Sequence, residues 1–156
     1  MGGISLVRIW IFNKCKIMKV LIGGAFDLLH TGHIFRIKLA KAMGSYLVVN
    51  VTPDERVKRK KGEERPILSV EERLVIVNNI KEVDEVTSIN EKGIQEVDEY
   101  EMECIKKIKP DVFVTKQHTE SLERYCIKNN VRLIILEDTK GIDKMHTTDI
   151  INRIKE

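Results

Sequence analysis

From Lys19 onward, short runs of uninterrupted apolar residues alternate with stretches whose apolar positions recur every three or four residues. "KVLIGG", "SYLVVNV", "DVFVT" and "VRLIILE" have the first pattern and predict buried strands, and "DEVTSI" predicts a weaker one. "HIFRIKLAKAMG", "SVEERLVIVNNI", "VDEYEMECIKKI" and "LERYCIKN" have the second pattern and predict helices, with "TTDIINRIK" as a short last one. Ser69 followed three residues later by Glu72 is a capping-box start, and Gly44 stands where the first helix should stop. The charged stretch 53–66 shows no apolar period and is expected to be a loop. Strands alternating with helices imply a parallel sheet joined by right-handed crossovers and covered on both faces. The fold class expected is therefore α/β, a single Rossmann-like, doubly wound parallel sheet.

Composition adds bounds. A chain of 156 residues with 42% apolar content fits one domain and one core. Charged residues make up 33%, yet the net charge is only +3, too balanced to imply nucleic-acid binding by itself. Cys15, Cys104 and Cys126 are odd in number and widely spaced, which argues against a disulfide framework and favours a reducing, cytoplasmic setting. The apolar start is broken by Arg8 and ends at Asn13 and Lys14, too short to span a bilayer and lacking a small-residue cleavage site. Its likeness to a myristoylation signal is loose, because Leu6 holds the expected Ser/Thr position. Residues 1–17 are read as an N-terminal extension, with Met18 as a candidate start of a domain covering 18–156; an extra strand or an interface segment is the alternative.

Chemistry concentrates in "GGAFDLLHTGH", at the carboxyl end of the first predicted strand. In doubly wound sheets, ligands bind beyond the carboxyl ends of strands. Gly23 and Gly24 permit close backbone approach, and the following helix offers free N–H groups and the positive end of its dipole to phosphate. His30 and His33 are three apart, so both rings can project from one helix face. Two imidazoles, partly cationic near neutral pH, could stabilise charge building on a phosphate. Zinc ligation lacks a convincing third ligand nearby, and a purely structural histidine accounts poorly for the whole cluster; both stay open as alternatives.

The same stretch resembles the GxFDxxHxGH signature of the cytidylyltransferase-like nucleotidyltransferases. "VKRKKGEERPILSVEERLVIVNNIKEVDEV", "KPDVFV" and "HTTDII" are similar to later blocks of that family, so the resemblance runs from about Lys19 to the C-terminus. It implies the family's own version of the α/β fold and a reaction in which a metabolite's phosphate attacks the α-phosphate of CTP or ATP. Pyrophosphate would leave with Mg²⁺ assistance, the ion being held mainly through the nucleotide phosphates. His30 and His33 match the family histidines that grip the triphosphate and stabilise the transition state. Lys61, from the basic loop, is the first candidate to close over the phosphates, with Lys58 second and Arg65 also available. Gly24, Ala25 and Phe26 fall on the backbone-contact stretch. Asp27 falls on the motif aspartate and is expected to shape the loop. Arg73 matches the pattern of a loop- or phosphate-supporting arginine, with an exposed helix arginine as the alternative. Thr147 and Thr148 are expected to offer hydroxyls and helix-entry N–H groups to phosphate, or else simply to cap the last helix.

Several positions depart from the family pattern. Ala25 replaces Thr or Cys, Lys116-Gln117-His118 replaces a Gly-Asp turn, His146 replaces Ser, and Asp138 replaces an arginine for which Lys140 or Lys144 could stand in. The branches most similar are glycerol-3-phosphate cytidylyltransferases, heptose-phosphate adenylyltransferases and archaeal-type FAD synthases. A polyol or sugar phosphate is the favoured acceptor and FMN the alternative. A homodimer with "EVDEV" near the interface is also implied, with neither nucleic acid nor membrane as partner. Two other classes compete. One is a nucleotide-binding module that has lost its chemistry. The other is a nucleic-acid binder using "RVKRKKG", although no aromatic residues interleave there to stack bases.

Overall fold

The computed structural model describes residues 17–90, 92–136 and 146–155. Of the expected extension, only Ile17 falls among them. Cys15, Asp138, Lys140 and Lys144 lie outside the described residues.

Five parallel strands form one sheet: β1 (Lys19–Gly24), β2 (Tyr46–Val51), β3 (Glu85–Thr87), β4 (Val112–Thr115) and β5 (Arg132–Ile135). Their order is β3-β2-β1-β4-β5, so the chain winds outward first to one side of β1 and then to the other. That reversal opens a crevice between the carboxyl ends of β1 and β4, where doubly wound sheets bind ligands. The helices are α1 (Thr31–Lys41), α2 (Asp54–Lys61), α3 (Val70–Asn78), α4 (Val97–Ile108), α5 (Glu120–Lys128) and α6 (Thr147–Lys155).

Strand side chains alternate between two apolar layers, as the two-residue period requires. Val20, Ile22, Leu47, Val49, Val112 and Val114 pack with Ile37 and Ala40 of α1 and Val77 of α3. On the opposite face Leu21, Val48 and Phe113 pack with Tyr100, Cys104 and Ile105 of α4 and Leu122 and Cys126 of α5. Both described cysteines are buried and free, so neither takes part in a disulfide.

Local signals work as read. Ser69 Oγ accepts the Glu72 N–H and the Glu72 carboxylate accepts the Ser69 N–H, completing the capping box of α3. Gly44 is required by space: a Cβ there would sit 2.5 Å from both the Met18 carbonyl oxygen and Val20 Cγ2. Met18 is already tied into the domain, its N–H donating to Ser45 Oγ and its carbonyl accepting from Ser45 and Tyr46.

One expectation fails. The charged stretch 53–66 is not all loop, since α2 occupies Asp54–Lys61. Only Val57 of this helix is buried, so no apolar period marks it. Charge does: Asp54 and Glu55 occupy its first turn and Lys58, Arg59, Lys60 and Lys61 its last, each favourable to the helix dipole by about 0.3–1 kcal/mol. The Asp54 carboxylate also meets the buried Arg73.

Candidate active site

The turn from β1 into α1 is built on unfavourable backbone. Phe26 and Leu28 have φ of 51° and 47°, a left-handed region costly for bulky side chains. What holds it is the residue between them. The Asp27 carboxylate is fully buried, pairs with Arg65 at 2.8 Å and accepts the N–H groups of Ile67 and Leu68. Burial alone would raise this carboxyl, but those backbone donors and the Arg65 guanidinium outweigh it and hold it below its ordinary value. From the other end of the chain, Thr147 Oγ1 donates to the Asp27 carbonyl at 2.7 Å. Arg73 completes the clamp. Its wholly buried guanidinium donates to the carbonyls of Ala25, Thr52 and Leu68 and to the Asp54 carboxylate.

On this base stand the two histidines. His30 caps α1: its Nδ1 accepts the Gly32 N–H at 3.2 Å, which leaves the proton of a neutral ring on Nε2. The His30 and His33 rings stack with centroids 3.8 Å apart, and Phe26 backs His33 at 5.4 Å. His33 is pushed down to about 3, first by burial and then by the nearby His30, Arg36 and Lys61. His33 is therefore not cationic at neutral pH, contrary to the partly charged pair expected. His33 is a neutral imidazole in a cationic setting, able to donate one hydrogen bond, and its Nδ1 is buried without a partner among the described residues.

Two adjoining cavities open here. The smaller, about 270 Å³, is lined by His30, His33, Arg36, Lys61, Lys116 and the start of α6 at His146, Thr147 and Thr148, with Ala25 and Gly32 as floor. Its charged side chains are all basic. The larger, about 530 Å³, runs over the carboxyl ends of β1, β2 and β4 against α2 and α4. Its walls mix Leu21, Val57, Val97, Tyr100, Cys104 and Phe113 with polar Asn50, Thr52, Arg56 and Glu101. Ala25, Arg36, Lys61 and Lys116 line both cavities and so mark their junction.

The sequence candidates therefore divide. His30, His33, Lys61, Ala25, Thr147 and Thr148 surround the smaller cavity. Gly24 lines the larger, where a Cβ would meet the Phe26 ring at 3.0 Å. Phe26 itself is buried beneath His33. Lys58 lines neither cavity. Arg65, considered for phosphate contact, is instead occupied in the clamp; Arg73, considered for loop or phosphate support, holds the loops at Ala25, Thr52 and Leu68 and is not the exposed helix residue of the alternative reading. Thr147 spends its hydroxyl on Asp27, leaving Thr148 the exposed one. His118 sits outside both cavities beside Glu123. Arg36 and Lys116 escaped sequence reading as site residues. Arg36 follows His30 and His33 at the same three-residue spacing, a signal that could have revealed it. Among the described residues no group of three or more His, Cys, Asp or Glu is placed to hold a metal.

His33 carries a consequence for stability. The unfolded chain protonates it near 6.5, whereas the folded protein resists until about 3. Between those values the unfolded state binds more protons, so stability rises with pH across the window. A His33→Gln variant is expected to show a shallower dependence of its urea midpoint on pH between 4 and 7 than the wild type. An unchanged slope would contradict the assigned burial.

Comparison with known proteins agrees with this architecture. The sequence model described as cytidylyltransferase-like matches residues 21–153. A "FAD synthase" of Pyrococcus abyssi is 39% identical over 147 residues, covering 89% of this chain and 93% of the relative. The "Bifunctional protein HldE" of Campylobacter concisus is 37% identical over 146 residues, covering 92% of this chain but only 28% of that protein. Among solved structures, a lipopolysaccharide core biosynthesis protein from Thermoplasma volcanium has a TM-score of 0.62 at 27% identity, covering 78% of this chain and 97% of its own. A pantoate-beta-alanine ligase from Francisella tularensis shares the fold, with a TM-score of 0.55 at 14% identity, covering 89% of this chain and 69% of its own.

Proposed function

The chain belongs to the cytidylyltransferase-like nucleotidyltransferases, and on that footing we propose that it transfers AMP from ATP to the phosphate of FMN, releasing pyrophosphate. The observation that carries the choice of acceptor is the larger cavity. At about 530 Å³, with Leu21, Val97, Tyr100 and Phe113 in its walls, it suits a flat aromatic head group better than a glycerol or sugar phosphate. That reverses the preference drawn from sequence. The relatives named FAD synthase, matched along 93% of their length, support the same acceptor. Likeness to HldE supports a sugar phosphate as the second reading.

In the proposed reaction an acceptor phosphate oxygen forms a bond to the α-phosphorus as the bond to the β-phosphate oxygen breaks, and pyrophosphate carries away the electron pair. No protein nucleophile is needed. The triphosphate occupies the smaller cavity, with His30 Nε2–H and His33 donating to phosphate oxygens. Arg36, Lys61 and Lys116, at the junction, bring the two phosphates together against their mutual repulsion. This is catalysis by positioning and preorganised charge. A divalent ion, if bound, would be held through the nucleotide's own oxygens and would offset their charge, because the cavity presents cations, imidazoles and hydroxyls rather than carboxylates. Homodimerisation through the sheet edge near residues 82–86 belongs to the same proposal; light scattering showing a monomer would remove it.

The test is a pyrophosphate-release screen of four nucleotides against polyol phosphates, sugar phosphates, FMN and phosphopantetheine. ATP with FMN is expected to give the highest kcat/KM; preference for a sugar phosphate would select the second reading. Within it, Lys61→Ala is expected to raise the KM for the triphosphate by about 10-fold or more, the scale of a lost hydrogen bond to a charged group. Unchanged kinetics would take Lys61 out of the phosphate site.

A further inference from the structure

Glu101 of α4 is a carboxylate in the wall of the larger cavity among mostly apolar and basic neighbours. Its Oε1 accepts the Thr115 hydroxyl at 3.0 Å. Its Oε2 is buried and has no partner among the described residues. Thr115 is locked in turn: its oxygen accepts the Gln117 N–H at 3.1 Å, which orients the hydroxyl proton toward Glu101. The nearby polar groups of Asn50, Tyr100 and Arg56 do have partners. Asn50 holds the Tyr100 hydroxyl and the Ile89 N–H, Tyr100 donates to the Ile89 carbonyl, and the Arg56 guanidinium lies over the Tyr100 ring while donating to the Ile94 carbonyl. A buried carboxylate oxygen with no donor is costly to keep in a protein that needs only a floor there. The cost is recovered if the carboxylate, still held by Thr115 at Oε1, turns its free oxygen toward the cavity and a bound molecule supplies the donor.

We propose that Glu101 is a specificity-determining residue that accepts a hydrogen bond from an N–H of the acceptor's head group, the imide edge of the flavin ring if the acceptor is FMN. The assignment rests on the preceding reading only in placing the acceptor in the larger cavity. Thr115 fixes the carboxylate's orientation, so an acceptor lacking the donor leaves Oε2 unpaired and is discriminated against.

Burial pushes Glu101 up to about 7, Asp98 on its own helix adds to the rise, and the Thr115 hydroxyl and Lys60 from α2 oppose it. Cys104 on α4 and Cys126 on α5 also face it, both thiols being raised in part by its charge. An N–H donor favours the ionised form, so Glu101 should bind the acceptor better as pH rises through this value. The acceptor's own phosphate can titrate in the same range, but equally in wild type and variants. The ratio of acceptor KM between Glu101→Gln and wild type therefore isolates the side chain.

The experiment compares wild type, Glu101→Gln and Glu101→Leu, each shown folded by its thermal melt, using FMN and N3-methyl-FMN with ATP at pH 6 and pH 8. For the wild type, N3-methylation is expected to raise the acceptor KM about 10-fold or more with little change in the ATP KM. Both variants should lose that discrimination, and the Gln-to-wild-type KM ratio should be larger at pH 8 than at pH 6. Equal use of FMN and its N3-methyl derivative by the wild type would overturn the Glu101 assignment while leaving FMN as the acceptor. If the wild type uses only a different phosphorylated acceptor, the FMN reading falls, and the variants are then scored on that acceptor. Unchanged KM and pH ratio there would overturn the Glu101 assignment as well.

Discussion

Replacing His33 with alanine is expected to lower kcat by about 10²–10³-fold while leaving the fold in place, the usual scale for removing one preorganised donor from a developing negative charge. The expectation follows from three features of the site. His33 sits in the first turn of α1, beside His30 with ring centroids 3.8 Å apart, and Phe26 fixes its back. His33 is held neutral, at about 3, so it loses no proton to become a donor and needs no rearrangement when charge appears. A triphosphate brought against it would favour protonation, and the surrounding Arg36 and Lys61 oppose that, keeping the ring a hydrogen-bond donor rather than an acid. His30→Ala should cost a similar factor and, in addition, the cap it provides to Gly32. Steady-state kinetics of purified His33→Ala, with folding checked by circular dichroism, measure the effect. Turnover within a few-fold of wild type would remove His33 from the chemistry.

The second large effect concerns stability. Arg73→Met is expected to destabilise the protein by about 3–5 kcal/mol, because it leaves the carbonyls of Ala25, Thr52 and Leu68 without their donor together and removes the cation that the half-buried Asp54 carboxylate meets. The side chain is fully buried and joins three parts of the chain. Ala25 lies in the turn after β1, Thr52 follows β2, and Asp54 opens α2. For a chain of this size, about 2–4 °C of melting temperature is lost per kcal/mol, so a drop of roughly 6–20 °C is expected. Arg73→Lys keeps the charge but not the planar fork, and should recover only part of the loss. A melting temperature within about 2 °C of wild type for Arg73→Met would show that the clamp is not under load.

Those two residues also mark how far the sequence could be read. The strand runs were legible because parallel strands buried on both faces have no alternation to disguise them, as in "SYLVVNV". The α3 start was legible because Ser69 and Glu72 each satisfy the other's backbone N–H locally. The histidine pair was legible because helical spacing puts positions three apart on one face. Helix α2 was not, since Val57 alone is buried and its stabilisation comes from dipole-matched charge and from Arg73, distant in sequence. Arg65 looked like a phosphate ligand, and Arg73 like a support for either loop or phosphate, because nothing local says that a guanidinium will be engaged by carbonyls or by a carboxylate many residues away. Asp27, by contrast, stands in a turn between a strand and a helix, where short polar side chains commonly cap, and that does suggest a loop-holding role. The larger cavity was the least legible part. Its lining comes from β1, β2, β4, α2 and α4, and only the sheet order brings these together. Lys116 read as a departure from the family pattern, yet the reversal of strand order places it at the junction of both cavities.

All of the proposed chemistry requires one seating of the nucleotide. The most direct measurement is a crystal structure of the protein with a non-hydrolysable ATP analogue. The prediction is a triphosphate in the smaller cavity, its α-phosphate oxygens within hydrogen-bond distance of His30 and His33 and its other oxygens near Lys61 and Thr148. A triphosphate seated elsewhere, with both imidazoles left without phosphate contact, would contradict the account.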